Sequence, residues 1–166
     1  MTGLLKQISR SHGGLPKLAL AGHIMLEREG IEGDRHRNLK YHGGPAKAVL
    51  MISAEFVDSL AARGFPVFHG ALGENLTVTG LDPHAWRHGQ RYRVGEDALI
   101  ELTTLRVPCA NLDVYGEIIK AELYDAGCKG GDVSSPRWGY GGFYARVIRP
   151  GLLIADAPIV LESDLA

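Results

Sequence analysis

Apolar runs in this chain are short, and glycine or proline closes nearly every one. The 166 residues include 22 glycines and 8 prolines. A helix needs apolar residues at helical spacing over a long window, whereas a strand needs only a few alternating or continuous ones. Strand character falls at Gly3–Ser9, Leu18–Leu26, Ala48–Ile52, Leu76–Thr79, Gln90–Val94, Ala98–Thr104, Phe143–Ile148, Leu152–Ile154 and Ile159–Leu161. Gly95-Glu96-Asp97 reads as the turn of a hairpin, and Pro150-Gly151 as another turn. Helical spacing is confined to Ala54–Arg63, with Ser53 as N-cap, Gly64 as stop and Pro66 beyond, and to Leu112–Tyr115 and Glu117–Ala126. Strands outnumber helices and do not alternate with them. The expected fold class is therefore mainly β, a barrel or sandwich with a few short helices. No repeat, linker or low-complexity tract breaks the chain, so residues 1–166 are expected to form a single domain.

Composition excludes several classes of function. Hydrophobic residues at 45% and charged residues at 22% suit a folded globular chain, not a disordered one. No apolar run approaches the roughly 20 residues needed to span a bilayer, and Met1–Lys6 lacks the apolar core of a signal peptide. The expectation is a cytoplasmic protein without a membrane partner. Cys109 and Cys128 make no disulfide framework and no CxxC pair, so free thiols in a reducing compartment are expected. A formal charge of −1 and the lack of an RRM-type motif argue against nucleic acid as a partner.

The placing of charge is more informative. Arg35 to Ala54, Pro83 to Gly95, Leu102 to Leu112 and Val133 to Ala155 contain no acid. They carry eleven of the 18 Lys and Arg residues. If the fold gathers them, they make a cationic pocket for an anionic ligand. The competing reading is ordinary uneven surface charge.

Four stretches carry candidate chemistry. In Thr103–Asn111 a strand-like run ends at Pro108, which has no backbone donor, and Cys109 follows beside Arg106. A nearby cation favours the reactive thiolate; the bland alternative is a small buried hydrophobe. Gly30-Ile31-Glu32-Gly33-Asp34-Arg35 leads to His42-Gly43-Gly44-Pro45-Ala46-Lys47. Such a glycine-rich loop can form an anion-binding nest of backbone N–H groups, with Arg35 and Lys47 on a phosphate. It is not a Walker A loop, and the seven histidines, His36 and His42 included, show no zinc spacing. In Gly73-Glu74-Asn75-Leu76, Glu74 reads either as an acid/base or partner for a pocket arginine, or as a cap on backbone donors with Asn75 shaping a turn. Trp138–Val147 mixes aromatics, glycines and Arg146. It reads as an aromatic wall beside a planar ligand with Arg146 on phosphate, or as an ordinary strand.

Taken in order, Gly-Ile-Glu-Gly-Asp-Arg at 30–35, His-Gly-Gly at 42–44, Lys47-Ala48-Val49, Gly-Glu-Asn-Leu at 73–76, Arg-Val-Pro-Cys at 106–109 and Arg-Val at 146–147 before Pro150-Gly151 resemble the MOSC domain family. The likeness covers nearly the whole chain. It implies a barrel-like domain tied to molybdenum–pterin cofactor chemistry, as sulfur carrier or as cofactor-binding reductase of N-hydroxylated compounds. By the resemblance, Cys109 is the key cysteine, ligating molybdenum or carrying a persulfide. Asp34, Arg35, His42, Gly43, Gly44, Lys47, Glu74, Asn75, Arg106 and Arg146 are the implied cofactor-binding set. Pyridoxal phosphate, associated with multidomain relatives, is not expected here because no aminotransferase-like domain is present. Gln90, Leu105 and Ala155 depart from the family pattern at turns. With no flavin or iron–sulfur domain appended, an external electron or sulfur donor protein is the implied partner. The alternative is a non-catalytic β-barrel module for a phosphate-bearing small molecule, with Cys109 merely buried. A further possibility is Cys128 as a resolving thiol for Cys109.

Overall fold

The structure is a computed structural model that describes residues 1–35 and 43–163. The expectation placed on His42 lies outside the described residues.

The strands are β1 (Thr2–Arg10), β2 (Leu18–Ala19), β3 (Ile24–Glu27), β4 (Gly30–Ile31), β5 (Val49–Ser53), β6 (Leu76–Thr79), β7 (Arg91–Val94), β8 (Ala98–Leu105), β9 (Phe143–Arg149), β10 (Gly151–Leu153) and β11 (Pro158–Ser163). The helices are α1 (Ala54–Ala62), α2 (Ile119–Leu123) and α3 (Ala126–Lys129), with 3-10 turns at Pro45–Lys47, Pro83–Ala85 and Ala110–Tyr115. Hydrogen bonding runs β11-β7-β8-β9-β5-β6-β1, and β1 pairs back with β11 to close a seven-stranded barrel. Closure leaves no barrel edge unpaired. The small β2 hangs on the end of β1, and β10-β3-β4 form a separate sheet. Within the barrel only β5 and β6 run parallel, which is why a helix, α1, connects them.

The run at β5 is continuously apolar because both of its faces are covered. Met51 points into the barrel with Leu5, Val78, Tyr92, Ile100 and Phe143. Leu50 and Ile52 point outward into a second cluster with Phe56, Val57 and Leu60 of α1 and Tyr144 of β9. Ser53 caps α1 as its sequence predicts, accepting from the Phe56 N–H at 3.3 Å. Gly64, at φ +96°, follows the helix end. This outer layer creates the space for a pocket between the barrel wall and the loops over it.

Two expectations are corrected. The run Leu18–Leu26 is not one strand; Gly22, at φ +77°, turns the chain, and β2 and β3 join different sheets. The helix expected over Glu117–Ala126 is only the five residues of α2. Tyr124 is extended at φ −162°, and Asp125 starts a new turn by accepting from the Cys128 N–H at 2.8 Å. That cap outweighs continued helical propensity and starts α3 at Ala126. Among the described residues, no helix is long and apolar enough to cross a membrane.

Gly142 opens β9 at φ +88°. A Cβ there would sit 2.5 Å from Ile52 Cγ1 and 2.6 Å from the Met51 carbonyl oxygen. Gly131 has a similar φ of +78° but open space around it. Gly142→Ala should therefore cost at least about 2 kcal/mol more than Gly131→Ala in urea unfolding. Equal costs would show that backbone conformation alone, not close approach, selects glycine at 142.

Candidate active-site pocket

The pocket lies on the outer face of the barrel, where Leu50 of β5 and Tyr144 of β9 face Leu15, Leu72 and the segment after β8. It is partly open to solvent, and its wall sets apolar and cationic side chains side by side. The Arg106 N–H bonds the Gly142 carbonyl at 2.9 Å, the last main-chain tie to β9. Val107 and Pro108 then lead the chain away. Cys109 begins the 3-10 turn, its carbonyl accepting from the Leu112 N–H at 3.1 Å. Its thiol is free, half-buried and in the pocket wall.

Among the described residues the charged ones in that wall are Lys17, Arg35, Lys47 and Arg106, all basic. Arg106 is 4% exposed. Its Nη2 donates to the Leu72 carbonyl at 2.8 Å and its Nη1 to that of Gly141 at 3.4 Å. Its Nε is buried without a partner among the described residues. Main-chain carbonyls thus fix this guanidinium while its charge stays unneutralised by any ion pair with a described residue. An orphaned N–H of that kind is costly unless a ligand completes it.

Lys17 is 6% exposed, with Nζ 2.5 Å from Asp34 Oδ2. Burial pulls its pKa down, and the Asp34 carboxylate opposes that pull. Asp34 also accepts from Asn75 Nδ2 at 2.8 Å and, through Oδ1, from the Ser11 N–H at 2.9 Å. Lys47 reaches the pocket from the 3-10 turn at 45–47 and places its ammonium 5.0 Å from the Tyr144 ring centre, a cation–π contact. Burial holds the Tyr144 phenol above its ordinary pKa; Arg106 opposes the shift and Cys109 adds to it.

Glu74 is fully buried beneath this wall. Its Oε1 accepts from the Gly70 N–H at 2.6 Å and its Oε2 from the Leu72 N–H at 3.1 Å. Burial raises its pKa, with the backbone donors and the Arg106 charge pulling the other way. Of the two sequence readings for Glu74, the hydrogen bonds match the cap on backbone donors. Asn75 bridges strands: Oδ1 accepts from the Leu50 N–H at 3.1 Å and Nδ2 donates to the Ser9 carbonyl at 3.1 Å.

The fold therefore brings together Arg35, Lys47, Asn75, Arg106 and Cys109 in one wall, with Asp34 and Glu74 as supports behind it. Gly43 and Gly44, at φ +83° and +81°, lead into the turn that carries Lys47 without lining the pocket. Arg146 is two residues beyond Tyr144 on the same face of β9, but it is half-exposed, outside the lining and 3.5 Å from Glu101 Oε1. Other arginines of the acid-free segments also pair elsewhere: Arg91 with Glu101, Arg93 with Glu162 and Arg137 with Glu122. Trp138 belongs to the core, donating to the Trp86 carbonyl at 2.9 Å, so Tyr144 is the aromatic that faces the pocket. Cys128 is buried beside Ser135 and lies outside the lining. Lys17 is absent from the sequence-based set. It stands outside the four acid-free segments singled out above, in the equally acid-free stretch 1–26, and burial with its Asp34 partner marks it.

Residues 38–160 match the model of the MOSC domain. The uncharacterized protein YflK of Bacillus subtilis is 35% identical over 153 residues, 90% of this chain and 63% of that protein. YiiM of Escherichia coli is 35% identical over 158 residues, 92% of this chain and 65% of that protein. The crystal structure of Escherichia coli YiiM superposes with a TM-score of 0.70 at 28% identity, over 99% of this chain and 71% of that one. The chain thus spans less than two thirds of the length of these two curated relatives. A protein named Reductase from Gibberella moniliformis is 30% identical over 96 residues, 55% of this chain and 17% of that protein.

Because Glu74 binds its proton more tightly folded than unfolded, its contribution to stability is full below the ordinary carboxylate range. It is lost as pH rises through the raised folded value. Glu74→Gln removes that dependence. The stability of the Gln variant relative to wild type should rise as pH goes from about 4 toward neutrality in urea titrations. A difference that stays flat with pH would contradict the raised carboxyl.

Proposed function

This chain belongs to the MOSC domain family, and from that premise we propose that it binds the molybdenum–pterin cofactor in the pocket beside Cys109. The family is associated with molybdenum-cofactor proteins. One observation carries the reading for this chain. A half-buried thiol shares a wall with four cations, one of which, Arg106, is buried with an uncompleted N–H.

The donor set fits the group. A thiolate is a soft ligand for a high-valent, sulfur-binding metal. Among the described residues no three His, Cys, Asp or Glu side chains converge on a metal-sized site. The cofactor would bring the metal's remaining ligands with it. Lys17, Arg35, Lys47 and Arg106 suit an anionic phosphate tail, and Leu15, Leu50, Leu72 and Tyr144 offer an apolar wall to a planar ring. When bound, the cofactor supplies two-electron chemistry that side chains lack.

The chain's own residues do the rest. Asp34 holds the Lys17 ammonium in place, and Glu74 ties down the 70–72 loop whose Leu72 carbonyl anchors Arg106. Tyr144, kept protonated, is a donor and not a base. Reduction of N-hydroxylated compounds is the enzymatic form of this proposal; the partial similarity to a protein named Reductase favours reductive chemistry and gives no substrate. Sulfur carriage by Cys109 is its other form. Either form draws electrons or sulfur from a donor outside this pocket, of which a donor protein is one, and a reducing cytoplasm suits two free cysteines.

Protein made in a host that synthesises the cofactor should retain molybdenum, and Cys109→Ala should lower that content at least about tenfold. Equal, negligible molybdenum in both proteins, with no trappable persulfide on wild type, would remove the basis of the proposal.

A further inference from the structure

The charge around Cys109 also bears on which small molecule reaches its sulfur. A cationic surround favours the thiolate, and it also offsets the repulsion between that thiolate and an incoming anion. Here Lys17, Arg35, Lys47 and Arg106 share its pocket, and among the described residues no carboxylate lies in the lining. Arg106 is 4% exposed, its two Nη groups are spent on the Leu72 and Gly141 carbonyls, and its Nε–H is unpartnered among the described residues. Lys17 gives Asp34 one of its three donors. Fixed, desolvated donors beside a nucleophile stabilise negative charge that is transferred or released there.

We infer that Cys109 takes sulfur directly from a small dianionic sulfane-sulfur donor of the thiosulfate type, bound by the Lys17, Lys47 and Arg106 cations, and so acts as a sulfurtransferase. This rests on the reading of Cys109 as the working group of the pocket. It does not require the cofactor or a donor protein. The Cys109 thiolate attacks the outer sulfur of thiosulfate. A new S–S bond forms to Cys109 while the S–S bond of thiosulfate breaks, and that electron pair leaves with sulfite. Cys109 is left as a persulfide anion, with charge conserved and no outside oxidant or reductant. A thiophilic acceptor such as cyanide then removes the terminal sulfur as thiocyanate and restores the thiolate. Arg106 and the lysines first hold the dianion against the thiolate and then stabilise the departing sulfite.

The test uses the purified, reduced chain with sodium thiosulfate, followed by intact-mass and peptide mass spectrometry, and by thiocyanate release with cyanide. Wild type should gain the mass of one sulfur atom on Cys109, and Cys109→Ser should not. Lys47→Met should raise the thiosulfate concentration for half-maximal labelling by about tenfold, because the dianion then meets one cation fewer. Its alkylation by neutral iodoacetamide should fall far less than its labelling by thiosulfate, because only the dianion also loses a binding charge. Arg106→Lys, which keeps the charge but not the planar donors, should weaken labelling in the same direction; because Arg106 is buried, its fold is checked by urea unfolding, and Lys47→Met carries the test alone if it fails. Two results overturn the inference: no sulfur adduct on wild type whose Cys109 is readily alkylated, or adduct formation indifferent to the Lys47 charge. Molybdenum retention with no thiosulfate labelling sinks this inference and spares the cofactor proposal. Labelling without molybdenum does the reverse.

Discussion

Asn75 is the joint on which the pocket end of the barrel depends. Its N–H bonds the Leu50 carbonyl at 2.9 Å, and its own carbonyl accepts from the Ser9 N–H at 2.8 Å. Its side chain accepts from the Leu50 N–H and donates to both the Ser9 carbonyl and Asp34. One residue, immediately before β6, thereby ties β1, β5 and the loop carrying Asp34. Asn75 is 1% exposed, so each of these groups would cost about 1–3 kcal/mol if left unpaired. Remove the joint, and the Asp34 carboxylate loses a donor that orients it toward Lys17.

From that joint the electrostatics follow as alternating layers. Glu74 and Asp34 lie behind the pocket wall, and Lys17 and Arg106 stand in it. Buried charges of one sign are tolerable because the opposite sign is close by. The arrangement leaves positive charge facing the cavity and negative charge facing the protein. The half-buried Cys109 thiol lines the same cavity. Rigidity comes from main-chain partners: Arg106 is held by two carbonyls, Glu74 by two N–H groups. Exposed arginines such as Arg146 and Arg91, sharing Glu101, belong to the solvated barrel surface and contribute little by comparison.

Much of the fold was legible because its signals are local. The α1 boundaries follow from Ser53 and Gly64, and β6 from a short β-rich run. The two corrected segments failed for a tertiary reason. Nothing between Leu18 and Leu26 says that its two halves join different sheets, and Asp125 as a cap is recognisable only once Tyr124 is seen extended. The acid-free segments pointed to a cationic pocket and supplied three of its four cations. Lys17 stood outside those segments, and among their described residues Arg91, Arg93, Arg137 and Arg146 point to ion pairs elsewhere.

The sequence by itself determined that this is a mainly β chain of short strands, with a thiol after a proline stop and motifs in MOSC order. Those properties reside in periodicity, turn chemistry and residue order, all of which are local. Only the tertiary structure decided which cations share space with Cys109. Closing the barrel fixes which strand face each residue occupies, and a side chain's partners depend on that face and on the loops above it. Hence Lys17 joins the pocket, Glu74 becomes a support, and Arg146 turns to Glu101.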